Sequence, residues 1–356
     1  MIVIGDRFRV FVLVIGLLLV SVSCSTKMTA LNEKFEKNPT LSIQYWGEDW
    51  RKKSWTQRVS VAPDELLRKI SAENIKQGFV EQPVKAEPLP EFYEALQALD
   101  ADMPQPLKSL LQERLVGVFA VNGLGGTGYT EVVYDSKGEE NLGIIVLDAS
   151  VLKSRTANEW ASWKENSFFN SGNTENISLR MAIEEEPKDT VANAVRYILL
   201  HEMGHFFGMV TKAHSSWIEW SETKQIAMNY PFAQLTWIQD PTGEVRSRFD
   251  GVIPGRQHIK AYANEKSALD HSSVFPIYTK MSRFSSFPSL ASAQDPWEDF
   301  ADSFATYFHT VISGRPWRVI LEKDGKPVKV IGTCWDEERC MFKRAFMRKW
   351  FEKPGV

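Results

Sequence analysis

Residues 189–205 read Asp-Thr-Val-Ala-Asn-Ala-Val-Arg-Tyr-Ile-Leu-Leu-His-Glu-Met-Gly-His, and this stretch decides the fold. Asp189 or Thr190 can cap a helix, because a short polar side chain accepts hydrogen bonds from the first free backbone N–H groups. Apolar residues then recur at helical spacing and form a buried stripe: Val191, Val195, Ile198 and Leu199. The pattern predicts a helix that continues through the final five residues.

Those five residues, His201 to His205, form an HExxH pattern. Two histidines four positions apart share one helix face, so both imidazoles can converge on one Zn²⁺. Glu202 then points toward a metal-bound water, and the small Gly204 lies opposite. A buried helix whose histidines only satisfy hydrogen bonds remains an alternative. Two histidines at this spacing, with a glutamate between them, favour zinc.

A catalytic zinc usually has three protein ligands and one open position, so a third ligand must follow downstream. Thr211 stands where the longer HExxHxxGxxH pattern places a third histidine or aspartate, and a threonine is a poor ligand. His214 is close in sequence, but nothing around it determines its direction. Neither residue is the favoured candidate.

The favoured candidate is Glu298, in a second segment whose apolar residues have helical spacing. Asp302 lies one turn further on the same face, where its carboxylate can accept a hydrogen bond from a ligand histidine and set its tautomer. Asp295 and Pro296 offer a competing explanation, because they form a capping pattern in which Glu298 is structural. Capping does not require Asp302, and this favours Glu298 as a ligand.

The combination of HEMGH at 201–205 and EDFAD at 298–302 resembles the gluzincin metallopeptidases, and within them the anthrax lethal factor group. The resemblance covers two short helices. It implies that His201, His205 and Glu298 bind Zn²⁺, that Glu202 is the general base and that Asp302 supports a ligand histidine. It further implies hydrolysis of a peptide or protein substrate by zinc-activated water.

Two departures from the group concern the substrate side of the site. Ala291 occupies the position of a tyrosine that steadies the oxyanion in that group, and Glu298 follows His205 only after about ninety residues. Candidates to replace the tyrosine lie in this interval, although each is individually more typical of packing or surface positions: Tyr230, Tyr262, Tyr278, His258 and His271.

The amino terminus has the order of a secretory signal at residues 1–23, with arginines, an apolar run and a small residue. The run ends at Cys24 and resembles a bacterial lipobox, although Ser21 departs from the usual leucine or valine. We therefore expect a lipid on Cys24 that attaches the protein to a membrane of the bacterial cell envelope, with the outer membrane favoured by Ser25. A signal without lipid, or a short anchor, remains open.

The rest of the chain indicates an α+β fold with a zincin-like catalytic domain. The predicted parts are a lipidated cysteine and tether at 24–60, a helical N-terminal segment at 61–114, the zincin-like domain with a small mixed sheet at 115–315, and a C-terminal hairpin and helix at 316–356. Cys334 and Cys340 are expected to form a disulfide, since an exported protein meets an oxidising compartment.

Composition limits the remaining possibilities. The chain has 356 residues, a net charge of −3, 43% hydrophobic and 24% charged residues, so we expect no nucleic-acid partner. The glycines at 123–128 lack the GK[ST] sequence of a phosphate loop. Two other functions stay open: a non-catalytic surface lipoprotein whose zinc site is structural and which binds a partner, and a zinc hydrolase that acts on cell-wall crosslinks.

Overall fold

The structure is a computed structural model, and it describes residues 29–172, 176–216, 230–263 and 267–355. Cys24 and the predicted signal at 1–23 lie outside these residues. Within them, no helix is both long and apolar enough to cross a membrane.

Helices and strands are interspersed along the chain, and we number each kind in chain order. The strands are β1 Val59–Val61, β2 Val84–Lys85, β3 Leu115–Asn122, β4 Gly128–Val133, β5 Leu142–Asp148, β6 Ile177–Ala182, β7 Trp237–Gln239, β8 Val245–Ser247, β9 Arg318–Lys323 and β10 Lys326–Gly332. The α-helices with both ends within the described residues are α1 Ile43–Trp46, α2 Asp64–Gln77, α3 Pro90–Asp102, α4 Gln105–Arg114, α5 Ala149–Leu152, α6 Ala157–Asn166, α7 Val191–Val210, α8 Val274–Phe284, α9 Pro296–Tyr307 and α10 Met341–Glu352. The α+β prediction is confirmed.

The main sheet has the order β1-β3-β5-β4, and β2 pairs with the carboxyl-terminal end of β3. Strands β1, β3 and β5 are parallel, whereas β4 runs antiparallel to β5 and lies at the end of the order. Beyond β4, the backbone N–H of Tyr134 donates to Leu41 and its C=O accepts from Ile43. Edge strand β4 is therefore occupied by another segment at its carboxyl end.

Strands β3 and β5 are apolar throughout because both faces of the sheet are covered. Along β3, Val118 and Ala120 belong to the large core shared with helix α7, whereas Phe119 and Val121 pack with Leu66 of helix α2 on the opposite face. The alternation of side chains along a strand produces this division.

Helix α7 begins at Val191, with the side chain of Thr190 accepting a hydrogen bond from the N–H of Asn193 as its cap. Helix α9 packs directly across it, and Gly204 is the point of closest approach. A Cβ placed on Gly204 would lie 2.7 Å from both Cα and O of Ala301. Only glycine permits this distance between the two helices.

The C-terminal hairpin turns at Asp324 and Gly325, which both have positive φ, as two-residue hairpins require. Its strands β9 and β10 join β6 in a second, antiparallel sheet, so the hairpin is continuous with the preceding domain. Helix α10 follows, and its buried Lys343 forms an ion pair with Asp299 of α9. Cys334 and Cys340 lie within disulfide distance, with a Cα–Cα separation of 5.6 Å.

The expected tether does not extend through residue 60 in the described part of the chain. Leu31, Leu41 and Trp55 are buried in the large core, and residues 59–61 form β1 beside β3. The segment is polar on average, but these few apolar side chains are enough to attach it to the sheet.

Candidate metal centre

Three side chains from helices α7 and α9 converge at one point. The Nε2 atoms of His201 and His205 lie 3.2 Å apart. The carboxylate of Glu298 lies 3.5 Å from Nε2 of His201 and 3.3 Å from Nε2 of His205. Among the described residues, these three form the group of potential metal ligands, with ligand atoms within 4.8 Å of one another.

These separations fit a zinc ion. Ligand atoms about 2.0–2.1 Å from a tetrahedral Zn²⁺ lie roughly 3.3 Å from one another, and the three distances above bracket this value. Two neutral imidazoles and one carboxylate are also the ligand types of many catalytic zinc sites. Three electron-rich atoms this close repel one another unless a cation or a proton lies between them. The residues present therefore fit the metal expected from the sequence.

Asp302 lies behind the three candidate ligands, next to His201. Its Oδ1 accepts a hydrogen bond of 2.8 Å from Nδ1 of His201, and its other oxygen accepts one from the hydroxyl of Ser289. A proton held on Nδ1 leaves the Nε2 lone pair of His201 directed toward Glu298 and His205. The buried Asp302 thus orients His201 and sets its tautomer.

The attraction between His205 and Glu298 outweighs burial in setting the pKa of each side chain. Burial alone would lower the pKa of His205, but the adjacent Glu298 carboxylate raises it to about 9. Burial would raise the pKa of Glu298, and the adjacent His205 and His201 rings instead lower it below its usual range. The site without a metal therefore holds protons that a bound cation would replace.

Asp295 and Glu298 both take the positions expected from the sequence. The Oδ1 of Asp295 accepts hydrogen bonds from the N–H groups of Trp297 and Glu298 and caps helix α9. The Glu298 side chain meanwhile faces the two histidines. The capping explanation and the ligand explanation are compatible, because one uses the Glu298 backbone and the other its carboxylate.

His214 and Thr211 do not join the group. The buried ring of His214 packs against Gly208, where an added Cβ would meet its Nε2, and its Nδ1 lies 2.8 Å from the carbonyl oxygen of Ser215. Thr211 donates its hydroxyl hydrogen bond back to the carbonyl of Phe207 within helix α7. Neither residue is one of the three converging ligands.

Glu202 belongs to helix α7, and its carboxylate lies against strand β4. The hydroxyl of Thr130 is 2.7 Å from its Oε2 and 2.9 Å from its backbone oxygen. A Cβ placed on Gly128 would lie 2.5 Å from its Oε1, so only glycine leaves room for the carboxylate there. The first and third residues of β4 therefore hold Glu202 at the sheet edge.

A cleft of about 380 Å³ opens over these side chains. Its walls are the beginning of β4, helix α2, helix α6, the ligand-bearing helices and the loop at 260–262. The metal-ligand group and Glu202 both line it, together with Tyr262 and Lys164. A peptide-sized ligand in this cleft would contact the candidate metal site and the edge strand together.

The residues considered as replacements for the tyrosine absent at Ala291 lie in different places. Tyr262 lines the cleft, and its hydroxyl is 3.0 Å from that of Thr127. Burial raises the pKa of Tyr262 to about 12, so its phenol remains a hydrogen-bond donor at neutral pH. Tyr278 is fully buried elsewhere and donates to Glu165. Ala291 is buried next to α9 and offers no polar group.

Three residues around the site were not assigned roles from the sequence. Thr130 and Ser289 contact Glu202 and Asp302, but single hydroxyl residues in a strand and a loop carry no spacing signal. Lys164 lies on helix α6, and helical spacing alone does not orient it toward the cleft. Its place follows from the packing of α6 beside α7.

Comparison of this chain with known protein families, curated proteins and solved structures finds no match.

Proposed function

We propose that the protein is a zinc-dependent peptidase whose metal ligands are His201, His205 and Glu298. The observation that carries this proposal is the position of Glu202. Its carboxylate shares one cleft with the three ligands and lies against edge strand β4. A metal site that only braced two helices would not need an acidic group or a cleft beside it.

A bound Zn²⁺ would supply Lewis acidity toward a carbonyl oxygen and would acidify a water molecule. Glu202 acts as general base: its carboxylate accepts the proton of the attacking water and delivers it to the leaving amine. The Thr130 hydroxyl holds Oε2, and Oε1 lies against Gly128, which lines the cleft. Asp302 keeps the proton of His201 on Nδ1 throughout.

The substrate would bind in an extended conformation along the beginning of β4, where Gly128 and Tyr129 are partly exposed and line the cleft. Backbone hydrogen bonds from the strand would then place a scissile peptide over the ligand group. The Tyr262 phenol donates a hydrogen bond toward the carbonyl oxygen as negative charge develops on it. This role would replace the tyrosine that is missing at Ala291.

The alternative of a purely structural zinc site predicts that a fourth side chain closes the coordination shell. His214 was the nearest candidate, and its ring packs against Gly208 outside the three-ligand group. Among the described residues no fourth side chain joins the three, and the cleft lies directly over them, which favours hydrolysis over a structural role. No feature of the described residues favours the cell-wall crosslink as substrate over an ordinary peptide.

The deciding experiment measures zinc content and hydrolysis of an unstructured protein such as casein together. We expect Glu202→Gln to keep one zinc per chain and to lose activity by about 10²- to 10⁴-fold. Glu298→Ala should lose the zinc, and the matched control His214→Ala should keep it. A Glu202→Gln protein that retained zinc and full activity would sink the assignment.

We also propose that the chain is exported and lipid-anchored through Cys24 to the bacterial cell envelope, most simply to the outer membrane. The order of arginines, apolar run and Ser23-Cys24 supports this. A Cys24→Ala chain should leave the membrane fraction, whereas the parent chain should carry a diacylglycerol mass on its first residue. An unmodified parent chain in the soluble fraction would contradict the anchor.

A further inference from the structure

Lys164 is the one cationic side chain of helix α6 that lines the cleft, within the part of the chain that the structure describes. Its side chain is only 13% exposed, and its Nζ lies 4.0 Å from Oδ1 of Asp302. This distance allows charge attraction but exceeds that of a hydrogen bond. The ammonium makes no hydrogen bond to any other described residue.

The carboxylate nearest the Lys164 ammonium already accepts two hydrogen bonds from other residues. Oδ1 of Asp302 accepts from His201, and Oδ2 accepts from Ser289. The ammonium has three donors, and a nearly buried charge with no hydrogen bonds is costly unless another group completes its shell. Because Lys164 lines the cleft, that group can come from a ligand.

The charge balance also favours an anionic ligand. Burial would lower the pKa of Lys164, but the charge of Asp302 raises it above the usual range, so the side chain stays cationic. The carboxylates of Glu298 and Asp302 face it, and a bound Zn²⁺ would neutralise their combined charge. The ammonium would then be available to a further carboxylate.

Part of the cleft wall on helices α6 and α7 is apolar. Trp160 lies one helical turn before Lys164 on the same face of α6, and Ile198 of α7 lines the same cleft. A charge pair formed against such a wall is poorly screened by water and therefore stronger than one at the surface. Lysine acts as a point charge without directional preference, so it suits a carboxylate that arrives from either backbone or side chain.

We propose that Lys164 binds a carboxylate of the substrate beside the scissile peptide, either the free carboxyl terminus or an Asp or Glu side chain. The inference rests on the proposed peptidase function and gives it a substrate class: acidic peptides or peptides cleaved close to their end. It assigns Lys164 to substrate recognition and leaves proton transfer to Glu202.

The test uses binding, so that it does not depend on turnover. The zinc-loaded Glu202→Gln protein is titrated in a calorimeter with two pairs of peptides. One pair is acetyl-Phe-Leu with a free carboxyl terminus and with a terminal amide. The other pair is acetyl-Phe-Glu-amide and acetyl-Phe-Gln-amide. We expect about ten- to hundredfold tighter binding of the charged member in at least one pair.

Substitution at position 164 then assigns the preference. Lys164→Met, added to the same protein, should reduce the preference to within twofold, and Lys164→Arg should retain most of it. Lys153→Met is the matched control, because Lys153 is an exposed lysine outside the cleft. This control removes the same charge and should leave the preference unchanged. Zinc content and the unfolding midpoint of each variant show whether the fold and metal site survive.

Each outcome has one meaning. A preference in the first pair identifies a terminal carboxylate, and one in the second pair identifies an acidic side chain. Equal binding within both pairs, or no binding of any probe at millimolar concentration, overturns the inference. Loss of zinc in Lys164→Met also overturns it, because Lys164 would then serve Asp302 and the metal site. Casein hydrolysis by the parent chain decides the proposed function separately.

Discussion

Gly204→Ala tests the close approach of the two helices that carry the proposed metal ligands. The added methyl would lie 2.7 Å from Cα and O of Ala301, and ordinary contact begins at 3.4 Å. Both neighbours are backbone atoms that cannot rotate away, so α7 and α9 must separate by about 0.7 Å. Metal–ligand distances in proteins tolerate roughly ±0.2 Å. The displacement is therefore large enough to disturb zinc binding.

The size of the effect follows from two opposing contributions. Overpacking of a core costs up to about 3 kcal/mol, and alanine regains about 1 kcal/mol over glycine inside a helix. We expect a net loss of about 2 kcal/mol in the free energy of unfolding without metal. We also expect zinc affinity to fall by about 10- to 100-fold, as for changes that displace metal ligands.

Urea unfolding of the metal-free protein measures the first quantity, and competition with a chelating dye measures the second. Gly251→Ala is the matched control, since a Cβ there meets no atom within 4 Å. It should change stability by less than about 0.5 kcal/mol and leave zinc affinity unchanged. A Gly204→Ala protein with the parent's unfolding midpoint and a zinc affinity within twofold of the parent's would refute the reasoning.

Three further predictions concern stability. Burial raises the pKa of Glu165 to about 7, so this carboxyl group holds its proton more tightly in the folded protein than in the unfolded chain. The stability that this contributes is fully present below pH 4.5 and is lost as the pH rises through 7. In urea unfolding, the free energy of unfolding of Glu165→Gln should therefore equal that of the parent at pH 4 and exceed it by about 3 kcal/mol at pH 8. An equal difference at both pH values would contradict this. Lys343→Met leaves the Asp299 charge buried alone and should cost about 3–5 kcal/mol in the same assay, most of it regained when Asp299→Asn is added; no recovery in the double variant would argue against the pair. Reduction of Cys334 and Cys340, which are six positions apart, should lower stability by about 2 kcal/mol, and a denaturation curve unchanged by reductant would show that the bond is absent.

The sequence predicted the elements in which local pattern and tertiary environment agree. Helix α7 has a cap, a continuous apolar stripe and a fixed ligand spacing, and all three are local properties of residues 190–205. Glu298 could be proposed because Asp302, one turn later, places a second carboxylate in an otherwise apolar helix. The hairpin at Asp324 and Gly325 is likewise a local signal.

Contacts that depend on the register or packing of distant elements could not be predicted. Thr130 meets Glu202 only because β4 runs antiparallel to β5 and crosses helix α7 at that residue. Lys164 faces the cleft because α6 lies beside α7 in space. The tether was expected to extend to residue 60, because the few apolar residues of this segment form no periodic pattern. Leu41 and Trp55 are nevertheless buried.

The contact between Tyr134 and residues 41–43 limits how much chain the edge strand can hold. Of the six residues of β4, the last four are buried, and the three that line the cleft, Gly128 to Thr130, span roughly 10 Å at about 3.3 Å per residue. An extended chain paired there would meet the buried half of the strand, with the N-terminal segment beyond it. Together they limit the number of residues that could pair with β4, and a longer partner would have to bend away from the sheet.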